Sequence, residues 1–177
     1  MGNNNNKILS VFDFDGVLAE TKSSIYVIKN EKVIKKLTPK EYVDYEPLDG
    51  ESFDYGEFNK MIKNPKLIVK NFKILVNQLE KARKSPKGSR KVTILTARGI
   101  GIPVTAFFKT FGLKPYVVAL GSGDPKDKAD WVENEITKPN GYDTLYFMDD
   151  SEENINAINE MLKKYPEIES VVTLIEE

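Results

Sequence analysis

The stretch Ile8-Leu9-Ser10-Val11-Phe12-Asp13-Phe14-Asp15-Gly16 constrains this chain more than any other. It starts as a short apolar run, the pattern of a strand buried on both faces. It ends in two carboxylates one residue apart and a glycine that permits a sharp turn. Side chains at i and i+2 of an extended segment point the same way, so Asp13 and Asp15 can converge on one point while Phe14 faces away. Two like charges held that close are costly unless a cation or a shared proton relieves them. Two readings follow: an Asx-type turn that ends a strand, or a metal-assisted catalytic site. The rest of the chain has to decide between them.

Composition removes most other chemistries. The 177 residues contain no cysteine and no histidine. This excludes disulfides, thiolate nucleophiles, Ser-His and Cys-His catalysis, and zinc sites built on either residue. Acid–base chemistry then rests on Asp, Glu, Lys or Tyr, and any metal site must be made of oxygen ligands, which suits magnesium or calcium. A calcium loop of the EF-hand kind does not fit, because Gly16 is the fourth residue from Asp13 rather than the sixth. The net charge of −1 gives no global reason to expect a nucleic-acid or anionic-membrane surface. No apolar run approaches the roughly 18–20 residues of a membrane span. Met1-Gly2 and the asparagines from Asn3 to Asn6 read as a frayed polar tail rather than a signal peptide, and the expectation is a cytoplasmic protein without a membrane partner.

Beyond the first strand, Ile25–Ile28 and Lys32–Ile34 flank Lys29-Asn30-Glu31 as a β-hairpin. Thr38-Pro39-Lys40-Glu41 is a helix start, with Thr as N-cap and Glu at the third position. The acidic, aromatic segment from about Glu46 to Asn64 has weak periodicity, and residues 20–64 read as an insertion. A strong helix is expected from Asn64-Pro65, with Ile68, Phe72, Leu75, Leu79 and Ala82 on one face. Strands Val92–Leu95, Tyr116–Leu120, Thr144–Met148 and Val171–Ile175 then alternate with helices opened by Pro103, Asp124-Pro125 and Ser151. Such alternation implies right-handed crossovers and a parallel, Rossmann-like sheet with helices on both faces.

Sheets of that kind place their sites beyond the carboxyl ends of strands. The residues found there are Asp13 and Asp15, Thr96 and Arg98, Gly121-Ser122-Gly123, and Asp149 and Asp150. Four carboxylates on two strand ends make an oxygen-rich cation site suited to magnesium. Asp149-Asp150 alone can be read as helix capping, and Thr96 as a strand-end turn. Lys126 and Lys128 both lie in the first turn of the helix after Pro125. Lys128, one turn before Val132, is better placed to point inward.

Asp13-Phe14-Asp15-Gly16, the strand end Ile94-Leu95-Thr96, a lysine opening a later helix, and Phe147-Met148-Asp149-Asp150 resemble, in order, the four motifs of the haloacid dehalogenase (HAD) superfamily. Leu95-Thr96-Ala97-Arg98 is similar to the second motif of small phage and bacterial phosphatases and, more loosely, the chain resembles the phosphatase half of polynucleotide kinases. The resemblance implies a HAD-like core over residues 1–19 and 65–177 and a small cap insertion over 20–64. It implies a phosphomonoesterase in which Asp13 is the nucleophile, Asp15 the general acid and base, and Thr96 and Lys128 bind the transferring phosphoryl group. Magnesium would be held by Asp13, the Asp15 carbonyl and Asp149, with Asp150 direct or through water. Ala97, Arg98 and Lys126 are the expected substrate-binding residues, with Lys22 a further candidate.

Other readings remain beside it. A receiver domain uses the same residue types, but its acidic pair comes first in the chain, whereas Asp149-Asp150 comes last. A catalytically idle binding domain is a second alternative, and a phosphatase of small metabolites or phosphoproteins a third. The expected substrate is a nucleotide or a nucleic-acid terminal phosphate. Tyr26, Tyr42, Tyr45, Phe53, Tyr55 and Phe58 could stack on a base, although aromatics in a small lid more often form its own core. The basic run Lys81, Arg83, Lys84, Lys87, Arg90 and Lys91 leads into the amino end of a strand and reads as a solvated helix end.

Overall fold

The computed structural model describes residues 6–176. The tail from Met1 to Asn5 lies outside them, so only Asn6 of the expected polar tail is described. Strand β1 (Ile8–Phe12) is followed by β2 (Ala19–Glu20), β3 (Ile25–Lys29), β4 (Lys32–Leu37), helix α1 (Pro39–Val43), β5 (Glu51–Asp54), a 3-10 turn (Gly56–Asn59) and β6 (Lys66–Leu67). Then come α2 (Val69–Lys84), β7 (Arg90–Thr96), α3 (Ile102–Lys109), β8 (Tyr116–Ala119), α4 (Pro125–Thr137), β9 (Thr144–Asp149), α5 (Glu152–Leu162) and β10 (Glu169–Leu174).

The main sheet has five strands in the order β10-β9-β1-β7-β8, all parallel. The chain therefore builds outward from β1 in one direction with β7 and β8, then returns to its other side with β9 and β10. The strand order reverses between β1 and β9, and the crevice above that reversal is where an open parallel sheet can admit a ligand. This architecture is a Rossmann-like α/β fold. Among the described residues no helix is long and apolar enough to cross a membrane.

Both sheet faces are buried, as the apolar strands demand. On one side Leu9, Val11, Leu95, Leu145 and Phe147 pack with Val132 and Ile136 of α4 and Ile155, Ile158 and Met161 of α5. On the other, Phe12, Phe14, Val92 and Ile94 meet Leu75 of α2 and Val104, Phe107 and Phe108 of α3. Phe14 sits edge-on to Phe107 at 5.1 Å and to Phe108 at 5.8 Å, a favoured aromatic arrangement. This packing explains why the residue between the two aspartates is a large apolar one.

One buried hydroxyl among the described residues is left unpaired. Thr93 is 0% exposed, and its Oγ1 has no hydrogen-bond partner. An unsatisfied buried hydroxyl costs free energy that an isosteric methyl does not. Thr93→Val is therefore expected to stabilise the protein by about 1 kcal/mol, read as a melting temperature higher by roughly 2–4 °C. A lower melting temperature would contradict this account of the β7 core.

The expected helix at Asn64-Pro65 begins later, at Val69. Asn64 has a left-handed φ of 46°, and the next residues form β6, which pairs antiparallel with β2. That two-stranded ribbon brings the two ends of the 20–64 segment side by side. The Ile68 N–H donates to the Leu18 carbonyl at 3.0 Å, and the buried Asn71 amide reaches the Val17 carbonyl at 2.9 Å. A tertiary pairing thus takes residues that helical periodicity assigned to the first turn.

Within the insertion the hairpin forms as β3 and β4, joined through Asn30 and Glu31 at φ 51° and 62°, the positive-φ pair of a tight turn. The Thr38–Glu41 capping box is present. Strand β5, which the weak periodicity of that segment does not announce, pairs with β3. Ile25, Val27 and Leu37 gather Tyr42, Tyr45, Phe53 and Phe58 into a small core. Most of the insertion's aromatics are thereby used in its own packing.

Candidate active site

The site is assembled where β1 and β9 end side by side. Phe12 pairs with Met148, and the Asp13 N–H donates to the Met148 carbonyl at 2.9 Å. Asp13 therefore stands level with Asp149, although one directly follows the first strand of the core and the other ends the fourth. One carboxylate oxygen from each of Asp13, Asp149 and Asp150 lies within 4.8 Å of the others. Hard oxygen donors at that spacing, with no histidine or cysteine in the chain, fit a divalent cation of the magnesium or calcium kind.

Lys128 completes the cluster from the first turn of α4. It is 3% exposed, and its Nζ lies 3.1 Å from Asp13 Oδ1 and 2.7 Å from Asp149 Oδ2. Burial alone would depress its pKa, but the charges of Asp13 and Asp149 outweigh that and raise it, so it is an ammonium at neutral pH. Asp13 is held well above the usual carboxylate range by burial first; Lys128 pulls it down, while Asp149, Asp150 and Asp15 push it up. Lys126 stays in solvent on the other side of the same turn, its side chain 73% exposed and paired with Asp130. Lys128 is the lysine brought into the cluster. Lys126, expected among the substrate-binding residues, is not drawn into the cluster, because residues two apart on a helix diverge by about 200°.

Asp15 takes a different course from Asp13. Strand β1 stops at Phe12, and the backbone turns at Gly16 with φ 76°, so the two acids do not share the extended geometry expected of them. The Asp15 carboxylate lies outside the three-carboxylate cluster. It accepts from Arg98 Nε at 2.8 Å and Nη2 at 2.7 Å, and from Thr21 Oγ1 at 2.7 Å. Arg98 is buried, its side chain 1% exposed. It also donates to Thr21 Oγ1 at 3.3 Å and to the Phe58 carbonyl at 2.9 Å, and lies over the rings of Phe14 and Phe58 at 5.7 and 5.1 Å. Arg98, expected as a substrate-binding residue, is engaged by the Asp15 carboxylate and by the Phe58 carbonyl of the 3-10 turn. A bidentate guanidinium–carboxylate pair fixes both partners.

Thr96 is 1% exposed at the end of β7, and its Oγ1 accepts the Arg98 N–H at 3.2 Å. Ala97 is exposed between them, and Lys22 is exposed beyond the first loop. The basic run at the end of α2 and beyond it finds partners: Arg83 and Lys84 pair with Glu80 within the helix, and Lys91 of β7 with Glu135 of α4. Thr21 and Asn154 were not singled out from the sequence. Thr21 sits in a polar connector with no periodic signal. Asn154 occupies the third position of α5, where Glu or Gln is usual in a capping box, and that departure was the available clue.

Gly16 sets the position of Asp150. A Cβ added at Gly16 would lie 2.2 Å from Asp150 Oδ2, and the backbone there is left-handed. Gly16→Ala is expected to cost about 1–2 kcal/mol from the backbone alone and to push Asp150 out of the cluster. Calorimetric unfolding of Gly16→Ala, Asp150→Ala and the double variant checks it. The double variant should lose less than the sum of the singles, because removing the Asp150 carboxylate removes the clash.

The raised acids also set a pH dependence. Asp150 is pushed up to about 6, by desolvation of its carboxyl first and then by the Asp149 charge. Raised carboxylic acids bind protons in the folded chain at pH values where the unfolded chain has released them, so their contribution to stability is present at low pH and lost as pH rises through about 6. A divalent cation held at the cluster would compete with those protons. The magnesium-induced rise in melting temperature is therefore expected to be larger at pH 7.5 than at pH 5, measured against a chelator control; equal shifts at both would contradict it.

No protein-family profile and no curated protein sequence matches the chain. A solved structure with a similar fold is the crystal structure of the Legionella pneumophila effector Ceg4, carrying an N-terminal TEV protease cleavage sequence. Its TM-score is 0.51 at 18% sequence identity, over 96% of this chain and 86% of that one. At that identity the likeness speaks to the fold alone.

Proposed function

We propose that the protein is a magnesium-dependent phosphomonoesterase with a HAD-like core, acting through an aspartyl-phosphate, with residues 20–64 as a small cap. The observation that carries this reading is the separation of the two acids of the first loop. Asp13 meets Lys128 and the Asp149–Asp150 cluster, whereas Asp15, two residues on, is held apart by Arg98 and Thr21. A plain Asx turn has no need of a buried lysine on one acid and a buried arginine on the other.

In the first half-reaction an Asp13 oxygen attacks phosphorus, the bond to the leaving oxygen breaks, and Asp15 delivers a proton to that oxygen. In the second, water attacks the phosphorus of the acyl phosphate, Asp15 takes its proton, and the bond to Asp13 breaks to release phosphate. The hydrogen bonds that Asp15 accepts from Arg98 and Thr21 hold it as a carboxylate oriented to take the proton of the attacking water; to serve as the acid of the first half-reaction it must carry a proton on an oxygen that leaves one of those contacts. Lys128 offsets negative charge on the transferring group. A magnesium ion held by Asp13, Asp149, Asp150 and the Asp15 carbonyl would supply further positive charge where the phosphoryl oxygens gather. Thr96 and the main-chain amides after it, including that of Ala97, are the groups suited to hold a phosphoryl oxygen.

A nucleotide or a nucleic-acid terminal phosphate is the proposed substrate. Because the insertion's aromatics form its own core, any base contact would come from its exposed edge, where Tyr55 is 44% exposed. The test is phosphate release from an aryl phosphate with magnesium or chelator, followed by nucleoside 5′- and 3′-monophosphates against 3′-phosphorylated oligonucleotides. Magnesium-dependent release supports the reading, and a preference of about tenfold, or 1.4 kcal/mol, for one substrate group names its class. No release from any of them favours the idle binding domain.

A further inference from the structure

We propose that Asn154 is a positioning residue that locks the Asp149 carboxylate in the orientation required by Lys128 and by a divalent cation. The proposal draws on the phosphatase reading only for the consequence on turnover.

Asp149 is 0% exposed, so no solvent competes for its oxygens and every contact comes from the protein. Its Oδ1 accepts the Ser151 N–H at 2.9 Å and Asn154 Nδ2 at 3.1 Å. Its Oδ2 accepts Lys128 Nζ at 2.7 Å and Asn154 Nδ2 at 3.1 Å. The Asn154 amide therefore straddles the carboxylate, equidistant from both oxygens. A terminal carboxylate torsion is broad when free. Of the donors on Asp149, the amide alone holds both oxygens and so opposes rotation in either sense.

The helix gives Asn154 no other task of comparable weight. Ser151 is the N-cap of α5, and its Oγ satisfies the Asn154 backbone N–H at 3.3 Å. A residue at this third helical position points its side chain back toward the N-terminus, where Glu would complete a capping box. Here the backward direction leads to a buried carboxylate, and Glu would set acid against acid. An amide reverses the sign of that contact and turns repulsion into donation. Asparagine has no helix-propensity advantage that would otherwise select it.

The consequence runs through Lys128. Its Nζ is shared between Asp13 Oδ1 and Asp149 Oδ2, so the angle of the Asp149 carboxylate helps set where the ammonium sits relative to Asp13. The same angle determines which Asp149 oxygen is offered to the cluster with Asp13 and Asp150. Partners of metal-binding side chains typically matter by about 10–100-fold in metal affinity.

Two variants test this, Asn154→Ala and Asn154→Leu, the second keeping the branched side-chain shape, at larger volume and higher helix propensity, while removing the donors. Magnesium binding is measured by titration calorimetry and by magnesium-induced thermal shift, with steady-state turnover recorded alongside. Both variants should weaken magnesium binding by about 10–100-fold and lower kcat more than they raise the KM of an aryl phosphate. Ile158→Val, deep in the α5 core, should lower the metal-free melting temperature without changing magnesium affinity. Variants of Asn154 that bind magnesium as the parent does, or a parent that does not bind it, overturn the proposal. So does an Asn154→Leu variant that behaves like the parent, because packing alone would then account for the residue. If Asn154→Ala does not fold, Asn154→Leu carries the comparison. Weakened magnesium binding in protein that releases no phosphate from any substrate would leave this inference standing and defeat the phosphatase reading.

Discussion

Asp13→Asn is expected to abolish magnesium-dependent phosphate release while leaving the metal-free fold at least as stable as the parent at neutral pH. The two effects have one cause. An amide cannot act as the anionic nucleophile, and loss of the covalent route should lower turnover by about a thousandfold or more, some 4 kcal/mol of barrier. Yet the Asp13 charge is unwelcome where it stands, since burial and the nearby acids raise its pKa and Lys128 only partly compensates. Replacing it by a neutral isostere relieves that repulsion and also removes a cation ligand. Melting curves with and without magnesium should show an unchanged or higher metal-free midpoint and a smaller magnesium-induced rise. A destabilised variant that keeps full turnover would remove Asp13 from the mechanism.

Lys128→Met is expected to act in the opposite sense on the fold. Methionine fills much of the same volume, so the change isolates the charge. Removing one partner of a buried ion pair leaves the others uncompensated and typically costs about 3–5 kcal/mol. For a chain of this size that corresponds to roughly 6–20 °C in melting temperature. The loss should be greatest at neutral pH and smaller in acid, where the raised carboxyls take up protons and no longer need the ammonium. Magnesium should restore part of the stability, because a cation at the cluster supplies the missing positive charge. Turnover should fall by at least about 100-fold. A neutral-pH melting temperature equal to the parent's would show that Lys128 does not hold Asp13 and Asp149 together. In Asp13→Asn the metal-free fold is spared and chemistry is lost; in Lys128→Met both are lost and metal rescues one of them.

The basic run after α2 and the insertion's aromatics show how local pairing disposes of attractive surface features. Arg83 and Lys84 share Glu80, near the amino end of β7 and away from its carboxyl end. Tyr42 stands edge-on to Phe53 at 4.9 Å, inside the small core that makes the hairpin self-supporting. Neither feature belongs to the cluster at the ends of β1 and β9.

Much of this architecture is written in local pattern. Apolar runs that end in acids, and helix stripes separated by Pro, Gly and Ser caps, are enough to place β1, β7, β9, α4 and α5 and to forecast a parallel sheet with polar residues at one edge. The absence of histidine and cysteine leaves carboxylates, lysine and arginine to do any chemistry at that edge. Pattern also chooses Lys128 over Lys126, because a helical stripe has a direction. These features depend on neighbours within a few residues, where periodicity and capping act.

Contacts made across long stretches of chain decided the rest. Pairing of β2 with β6 shortened the front of α2 by recruiting residues that local pattern assigned to a helix. Arg98, Thr21 and the Phe58 carbonyl come from three segments, and only their meeting pairs the Arg98 guanidinium with Asp15. Asn154 lies five residues from Asp149, yet its role depends on Asp149 being buried beside Lys128. The pair that opened the sequence therefore has an unequal outcome: its two acids follow from composition and strand pattern, but their separation into different environments follows from which distant cation reaches each one. Electrostatic interaction falls with distance and rises with burial, and both quantities exist only once the chain has closed on itself.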